Sequence, residues 1–255
     1  MKFKLTVLAA VLVASGAANA AIDNGAAGNG GLFFNAWDGT QSYTHDLKLS
    51  MDAFEAAVAA PGSFSQSWTG DALFSTFLST ANMATLEWNI FAAETKGNHR
   101  LLTTFNGANN GNQPNGNTRS STGTVRDWVT NQANTTLGSA DSFIVTDSAA
   151  KTYAGNGPVD SDGTSLNYIT TGGAANNSFA TGIGFQRVDS LATGVLKSKY
   201  TPYADGGTDM RVYLNGSTLT MSTVAAVPEP ETYAMLLAGL GLIGSIARRR
   251  ARRAA

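Results

Sequence analysis

Acidic residues provide the first candidates for chemistry in this sequence. Asp160 and Asp162, followed by Gly163, alternate as acids do in loops that bind hard cations, so this loop is a candidate calcium site. An EF-hand would need an acid at the position that Thr171 occupies, and Asx turns explain the same residues without metal. Apart from this loop we expect no cofactor.

The sequence contains carboxylates and two histidines that could serve acid-base catalysis, but they do not form a known catalytic motif. Glu87 and Glu94 are one of many carboxylate pairs that could serve glycoside hydrolysis. His45 precedes Asp46, but neighbouring strand residues point to opposite faces, so we expect no contact between them. His99, the other histidine, is expected on a surface strand, as is His45. Because no nucleophile elbow, zinc-protease motif, phosphate loop or dinucleotide pattern occurs, we expect no enzyme; a secreted carbohydrate-active hydrolase is the alternative.

Four aromatic residues are candidates for stacking on sugar rings: Trp37, Trp68, Tyr200 and Tyr203. The competing interpretation is that they pack in or near the core, as most large aromatic side chains do. An adhesin that binds calcium or sugar is therefore a second alternative. Ice binding would require a regular threonine ladder, which the sequence lacks.

Charge separates the central region from the two ends of the chain. Residues 21–226 hold ten Lys and Arg against sixteen Asp and Glu, a net charge of −6. This region repels phosphate backbones, so we expect no nucleic-acid partner. The absence of cysteine from the sequence excludes disulfides and thiolate metal sites.

The first twenty residues have the pattern of a secretory signal peptide. Lys2 and Lys4 precede the apolar run from Leu5 to Val13, and Ala18, Asn19 and Ala20 form a small-x-small cleavage site. We predict cleavage before Ala21, with the Sec machinery and signal peptidase as partners. The apolar run is too short to span a membrane.

Three features follow one another at the C-terminus. Val227, Pro228, Glu229 and Pro230 precede an apolar run from Thr232 to Ala247, which a cluster of arginines follows: Arg248, Arg249, Arg250, Arg252 and Arg253. A helix of that run measures ~24 Å, against ~30 Å for a hydrocarbon core. The arginines are expected to stop transfer at the cytoplasmic face of the membrane. At the other end of the helix, the prolines are expected to keep Glu229 in an extended segment just outside the membrane. A permanent single-pass anchor is the alternative to a processed signal.

The order of these features resembles the PEP-CTERM sorting signal of Gram-negative bacteria, a tail also labelled an ice-binding protein C-terminal domain. The resemblance implies processing by an exosortase and an association with exopolysaccharide and biofilm matrix. It implies a precursor anchored in the inner membrane, then a protein at the cell surface or in the matrix. We accordingly expect a signal peptide at 1–20, an extracytoplasmic domain at 21–226 and the sorting signal at 227–255, serving a structural or adhesive role.

Short strands dominate the predicted central domain. They are expected at Leu32–Trp37, Tyr43–Leu49, Thr85–Ala92, Arg100–Phe105, Ser142–Thr146, Asn167–Thr170 and Phe179–Val188. Alternation in Thr85–Phe91 predicts a strand with only one buried face. Asn215-Gly216 predicts a type I′ hairpin that places Val212 opposite Leu219.

Short helices interrupt these strands. Ser50 should cap a helix at Met51–Ala59. A second helix is expected at Asp71–Leu78, with Leu73, Phe74, Phe77 and Leu78 on one side. Val125, Trp128 and Val129 fit two short amphipathic turns. Asn106–Asn117, rich in Asn and Gly, is expected to be a surface loop. We therefore predict a mainly β fold, an antiparallel β-sandwich with short helical insertions, with a β-barrel or an α+β sheet as alternatives.

Overall fold

The structure is a computed structural model that describes residues 21–60, 63–105, 114–156, 172–173, 181–191, 197–205 and 208–223. The chain divides after Thr223 into a larger unit and residues 224–255, and every described residue belongs to the larger unit. The predicted signal peptide and sorting tail therefore lie outside the described residues. In the part of the chain that is described, no helix is both long and apolar enough to cross a membrane.

Antiparallel strands make up most of the described fold. The strands are β1 Gly31–Trp37, β2 Ser42–Ser50, β3 Ser65–Trp68, β4 Glu87–Glu94, β5 Arg100–Phe105, β6 Ser142–Val145, β7 Gly172–Gly173, β8 Ile183–Asp189, β9 Lys199–Pro202, β10 Ala204–Asp205, β11 Thr208–Asn215 and β12 Thr218–Thr223. The prediction of a mainly β, antiparallel fold is confirmed. Asn167–Thr170 lies outside the described residues, and β3, β7, β9 and β10 were not predicted.

The strands form one curled sheet in the order β3-β12-β11-β8-β5-β4-β1-β2-β6, with β7, β9 and β10 added to β4, β8 and β11. Strands twist in a fixed sense, and the twist accumulates across a sheet this wide. The two ends consequently approach each other: the indole N–H of Trp68 on β3 donates to the carbonyl oxygen of Leu47 on β2, at 3.0 Å. Within the described residues the terminal strands β3 and β6 do not pair, so the sheet does not close into a barrel.

The concave face of the sheet encloses an inner core. Phe34 and Tyr43 from one end of the sheet belong to the same buried cluster as Val212 and Leu219 from the other end. Opposite ends of one sheet thus enclose this core, as two sheets would in a sandwich. Two helices, α1 Met51–Ala59 and α2 Ala72–Thr80, fill the concave side.

The opposite face carries an outer core under a third helical segment. This segment consists of α3 Asn115–Trp128, a π-helical turn Val129–Ala133 and α4 Asn134–Leu137. Trp128 stacks on Phe33 of β1 with ring centroids 5.6 Å apart. Because helices cover both faces, β4 is buried on both sides from Trp88 to Ala93, and the prediction of a strand with one buried face is wrong.

The first two helices follow their sequence signals. The Ser50 side chain accepts the backbone N–H of Ala53, so α1 begins and ends as predicted. Asp71 accepts the N–H of Phe74 and caps α2, which continues to Thr80. Phe74 and Phe77 are buried, but Leu73, which was expected on the same side of the helix, is 41% exposed.

The third helix is much longer than the two turns predicted. It starts at Asn115, inside the segment that was expected to be a loop, because tertiary contacts outweigh its low helical propensity. Thr118, Ser121 and Thr122 are fully buried with Val125 along one side of the helix. Thr118 forms a hydrogen bond with Ser198 (Oγ1–Oγ 2.6 Å).

The predicted C-terminal hairpin is present, in a different register. Val212 lies opposite Met221, not Leu219, and Leu214 pairs with Leu219. The two loop residues are Gly216 and Ser217, and Gly216 has φ +54°, as required at the first position of a type II′ turn. The side chains keep their predicted face because the slip moves each pairing by two residues, and it pairs two leucines in the core.

Candidate functional site

A polar cleft of about 680 Å³ lies where α1, the β4–β5 connection, β8 and the loop that leads into β1 meet, and this loop is called the first loop below. We call it the charged cleft. Its lining includes four basic residues, Lys96, Arg100, Arg187 and Lys199. Three acids, Asp52, Glu94 and Asp189, line it as well. Its volume falls in the range typical of small-molecule sites.

Helix α1 carries two acids of this site: Asp52 lines the cleft, and Glu55 binds the two arginines that line it. Asp52 and Glu55 are three residues apart, a spacing that places both side chains on one side of a helix. The Asn29 side chain accepts the backbone N–H of Asp52 at 2.7 Å and ties the first loop to the start of the helix. The acids are thereby held on a rigid element and not on a loop.

Arg100, the first residue of β5, is the centre of an ion-pair network. Its guanidinium contacts Asp52, Glu55 and Glu94, each at 2.6 Å, and its side chain is only 12% exposed. Burial acts to lower the pKa of Arg100, but the hydrogen bonds with Asp52 and Glu94 and the charge of Glu55 outweigh it and raise that pKa. The three acids consequently face a permanent positive charge.

A second arginine extends the network across β8. Arg187 contacts Asp189 at 2.7 Å and Glu55 at 3.0 Å. The phenol of Tyr203 donates to Glu55 at 2.6 Å, and burial, followed by this hydrogen bond, raises the pKa of Tyr203. Glu55 thus joins α1, β5, β8 and the segment after β9.

The turn between β4 and β5 has an unusual backbone. His99 has φ +50°, a left-handed conformation that is rare for residues other than glycine. Its Nδ1 lies 2.7 Å from the hydroxyl of Thr122 on α3, and its carbonyl accepts the N–H of Ser190. Burial, then the charges of Arg119 and Arg126, lower the pKa of His99. Both effects favour the neutral form of the ring.

Two lysines stand at the rim of the charged cleft. Lys96 and Lys199 are exposed, and within the described residues neither forms an ion pair. Asn98 is also exposed at the rim. Among the described residues the rim thus offers two unpaired ammonium groups and an amide, whereas the acids of the site are paired with arginines. The arrangement is suited to binding a polar ligand.

The carboxylate pair considered for hydrolysis is separated in the structure. Glu87 begins β4 and Glu94 ends it, which places them about 23 Å apart along the strand. Glu87 accepts the indole N–H of Trp37, and Glu94 pairs with Arg100. These two acids cannot flank one glycosidic bond, which requires a separation below about 10 Å.

The four aromatic residues proposed for sugar stacking do not share a surface. Trp37 and Tyr200 pack against the outer core, whereas Trp68 and Tyr203 pack against the inner core. All four are partly buried. The four residues therefore do not form one stacking platform, and the interpretation of core packing fits them.

His45 lies apart from the charged cleft, beside Tyr43 (ring centroids 6.0 Å) at the edge of the inner core. Asp46 binds Lys48 at 2.9 Å, and no hydrogen bond joins it to His45, in line with their opposite directions on β2. Asp71 lies close enough to act on the pKa of His45, which burial lowers. His45 is half-buried, so it is not the surface residue that was expected.

Several predicted site residues fall outside the described residues: Ala18, Ala20, Asp160, Asp162, Val227, Pro228, Glu229, Pro230, Arg248, Arg249, Arg250, Arg252 and Arg253. Ala21 is the first described residue. In the ranges that are described, no three or more His, Cys, Asp or Glu residues are grouped to hold a metal ion.

Sequence reasoning did not identify the network of Asp52, Glu55, Arg100, Arg187 and Asp189. Two local signals were available: the three-residue spacing of the acids on α1, and the two-residue spacing of Arg187 and Asp189 on β8, which places them on one face of the strand. Nothing in the sequence indicated that these two elements meet through Glu55 and Arg187, or that Glu55 also binds Arg100.

Comparison with protein families gives one match, at the C-terminus. Residues 226–253 match the model of the PEP-CTERM protein-sorting motif, which confirms the expected sorting signal. Neither the curated proteins nor the solved structures include a match to the chain. The motif implies an exported surface protein that passes through a membrane and is recognised and processed by an exosortase.

Proposed function

We propose that this chain, which carries a PEP-CTERM sorting motif at residues 226–253, delivers a non-enzymatic structural or adhesive domain to the surface or matrix of a Gram-negative bacterium. The Sec machinery exports the chain, and signal peptidase removes residues 1–20. The C-terminal helix then holds the precursor in the inner membrane until an exosortase processes the tail. The domain of residues 21–226 folds outside the cytoplasm.

The sorting motif is the observation that carries this proposal. A motif of this kind at the C-terminus and a leader with a small-x-small cleavage site at the N-terminus suit one export route. The resemblance to PEP-CTERM proteins links such substrates to exopolysaccharide and biofilm matrix, which we propose as the surroundings of the mature domain.

The geometry of the charged cleft favours binding over catalysis. A glycosidase needs one carboxyl group that can donate a proton and a second that can attack or activate water. In the cleft, Asp52, Glu55 and Glu94 all contact Arg100, and Asp189 contacts Arg187. A general acid drawn from this set would have to give up an arginine partner. The cleft is therefore better suited to binding a ligand than to catalysing hydrolysis.

Deletion of the exosortase gene tests the sorting half of the proposal. In cells that contain the exosortase, the protein should accumulate outside the inner membrane in a shortened form. In the deletion strain a longer form should remain in the inner-membrane fraction. Identical size and location in both strains would contradict the proposal.

A further inference from the structure

We propose that the charged cleft binds a carboxylate-bearing saccharide, of the uronic-acid type, with Lys96 and Lys199 binding its carboxylate groups. This inference rests on the proposed role of the domain as a non-enzymatic binding module outside the cell. It assigns a ligand class to a surface that the sorting motif does not describe.

The distribution of charge favours an anionic group at the rim. The domain as a whole is acidic, yet four of the ten basic residues between positions 21 and 226 line this cleft. The two arginines are already paired with acids, whereas Lys96 and Lys199 are exposed and have no ion-pair partner among the described residues. An ammonium group without a carboxylate partner is free to bind one from a ligand.

The acids of the cleft restrict which anion fits. Asp52 is 61% exposed, and Glu94 and Asp189 also line the cleft. A densely charged ligand such as a polyphosphate would be repelled by these carboxylates. A uronic acid carries one negative charge per ring and several hydroxyl groups, which can donate hydrogen bonds to Asp52, Glu94 and Asp189.

The shape of the cleft and its amides agree with a sugar ligand. Its volume of about 680 Å³ exceeds the space of a single small ion, and Asn29 and Asn98 contribute amides that can pair with hydroxyl groups. His99 and Leu191 also line it, and the lining contains no Trp, Tyr or Phe. Recognition by polar contacts, and not by ring stacking, is therefore expected.

The test is calorimetric titration of the full chain, purified in detergent, with trigalacturonate and with the neutral trisaccharide maltotriose. Trigalacturonate should bind at least about tenfold more tightly than maltotriose. The Lys96→Ala/Lys199→Ala variant should lose about tenfold or more of its affinity for trigalacturonate, because each lysine contributes a charge-assisted contact. Lys151→Ala, which removes an exposed lysine outside the cleft, is the matched control and should bind as the wild type does.

Four results would overturn the proposal: no binding of trigalacturonate at millimolar concentration, equal affinity for maltotriose, an unchanged affinity in the double lysine variant, or tighter binding of inorganic tripolyphosphate than of trigalacturonate. Because both lysines are exposed, thermal unfolding should show that the variants remain folded. Processing of the tail in cells is measured separately, so failure of the ligand proposal leaves the sorting proposal intact.

Discussion

The guanidinium of Arg100 lies 2.6 Å from the carboxylate of Glu55, joining the first residue of β5 to the middle of α1. The Glu55 side chain is 21% exposed and also binds Arg187 and Tyr203. The Glu55 carboxylate therefore connects four parts of the chain that are distant in sequence, and it neutralises positive charge from two arginines that line the charged cleft.

Replacing Glu55 with Gln should destabilise the domain, because two arginines lose a charged partner while the size of the side chain is kept. We expect the free energy of unfolding to fall by about 1–3 kcal/mol, measured by urea denaturation. The control is Asp127→Asn, which breaks an exposed pair with the neighbouring Arg126 and should cost less than about 1 kcal/mol. Equal losses in the two variants would show that the network contributes no more than a surface pair.

Stability should fall as the pH is lowered through the range in which histidine titrates. Burial lowers the pKa of both His45 and His99, so the unfolded chain binds more protons than the folded chain just below the ordinary value of about 6.5. The histidine contribution is thus complete above that value and is lost below it. The wild type should lose more stability between about pH 7.5 and pH 5.5 than the His45→Gln/His99→Gln variant does. The same pH dependence in both proteins would contradict the assignment.

Gly25 should be much less tolerant of substitution than Gly97. Both have positive φ, +69° and +65°, so alanine costs ~1–2 kcal/mol at either position. A Cβ at Gly25 would also lie 1.8 Å from the carbonyl oxygen of Ala93, whereas a Cβ at Gly97 would have no neighbour within 4 Å. Gly25→Ala should therefore lose a further ~1–3 kcal/mol in urea denaturation. Similar losses at the two positions would mean that the first loop does not pack against β4 as described.

The mature chain should begin at Ala21. The next residue, Ile22, is buried, and its backbone N–H and carbonyl both bond to the Asn134 side chain, each at 2.9 Å. Cleavage after Ala20 keeps this contact while removing the leader. Mass spectrometry of exported protein should find Ala21 at the N-terminus. A mature protein that starts at Met1, or beyond Ile22, would contradict the prediction.

Sequence patterns predicted the elements that are determined by residues close together in the chain. Ser50 caps α1 as expected, and five of the seven predicted strand segments coincide with observed strands to within about two residues. The hairpin at Gly216 was predicted with the correct buried face but with the wrong turn type. The two turns differ by a two-residue shift in pairing that buries the same side chains, so the sequence pattern does not distinguish them. Leu214 pairs with Leu219 because the core, and not the Asn-Gly dipeptide alone, determines the register.

Features that depend on distant contacts were not predicted. Helix α3 contains Asn, Gly, Ser and Thr, which are weak helix formers, so its packing on the outer core and its hydrogen bonds with distant residues stabilise it. The ion pairs of Arg100 join positions 6 to 48 residues apart, and no periodicity connects them. The sorting motif could be predicted because its parts are contiguous in sequence, and the order of tripeptide, apolar run and arginine cluster is enough to identify it.

The central claim, that Pro228-Glu229-Pro230 is a processing signal, is tested most directly by Glu229→Gln. Insertion in the membrane depends on the apolar run and the arginines, so a plain anchor should not respond to this change. An enzyme that reads the carboxylate loses a charged partner, typically at ~1–3 kcal/mol. Glu231→Gln, which removes an acid just outside the tripeptide, is the matched control.

The measurement is the ratio of processed to full-length protein in exosortase-containing cells, determined by immunoblotting with mass spectrometry of the C-terminus. We predict that the wild type and Glu231→Gln are processed alike. Glu229→Gln should accumulate a longer, membrane-retained form, at about a tenfold lower rate of processing. Replacement of the five arginines should disturb retention and topology first. Equal processing of wild type and Glu229→Gln would contradict a specific role for this carboxylate, and an intact tail on the mature wild-type protein would show that the segment is a permanent anchor.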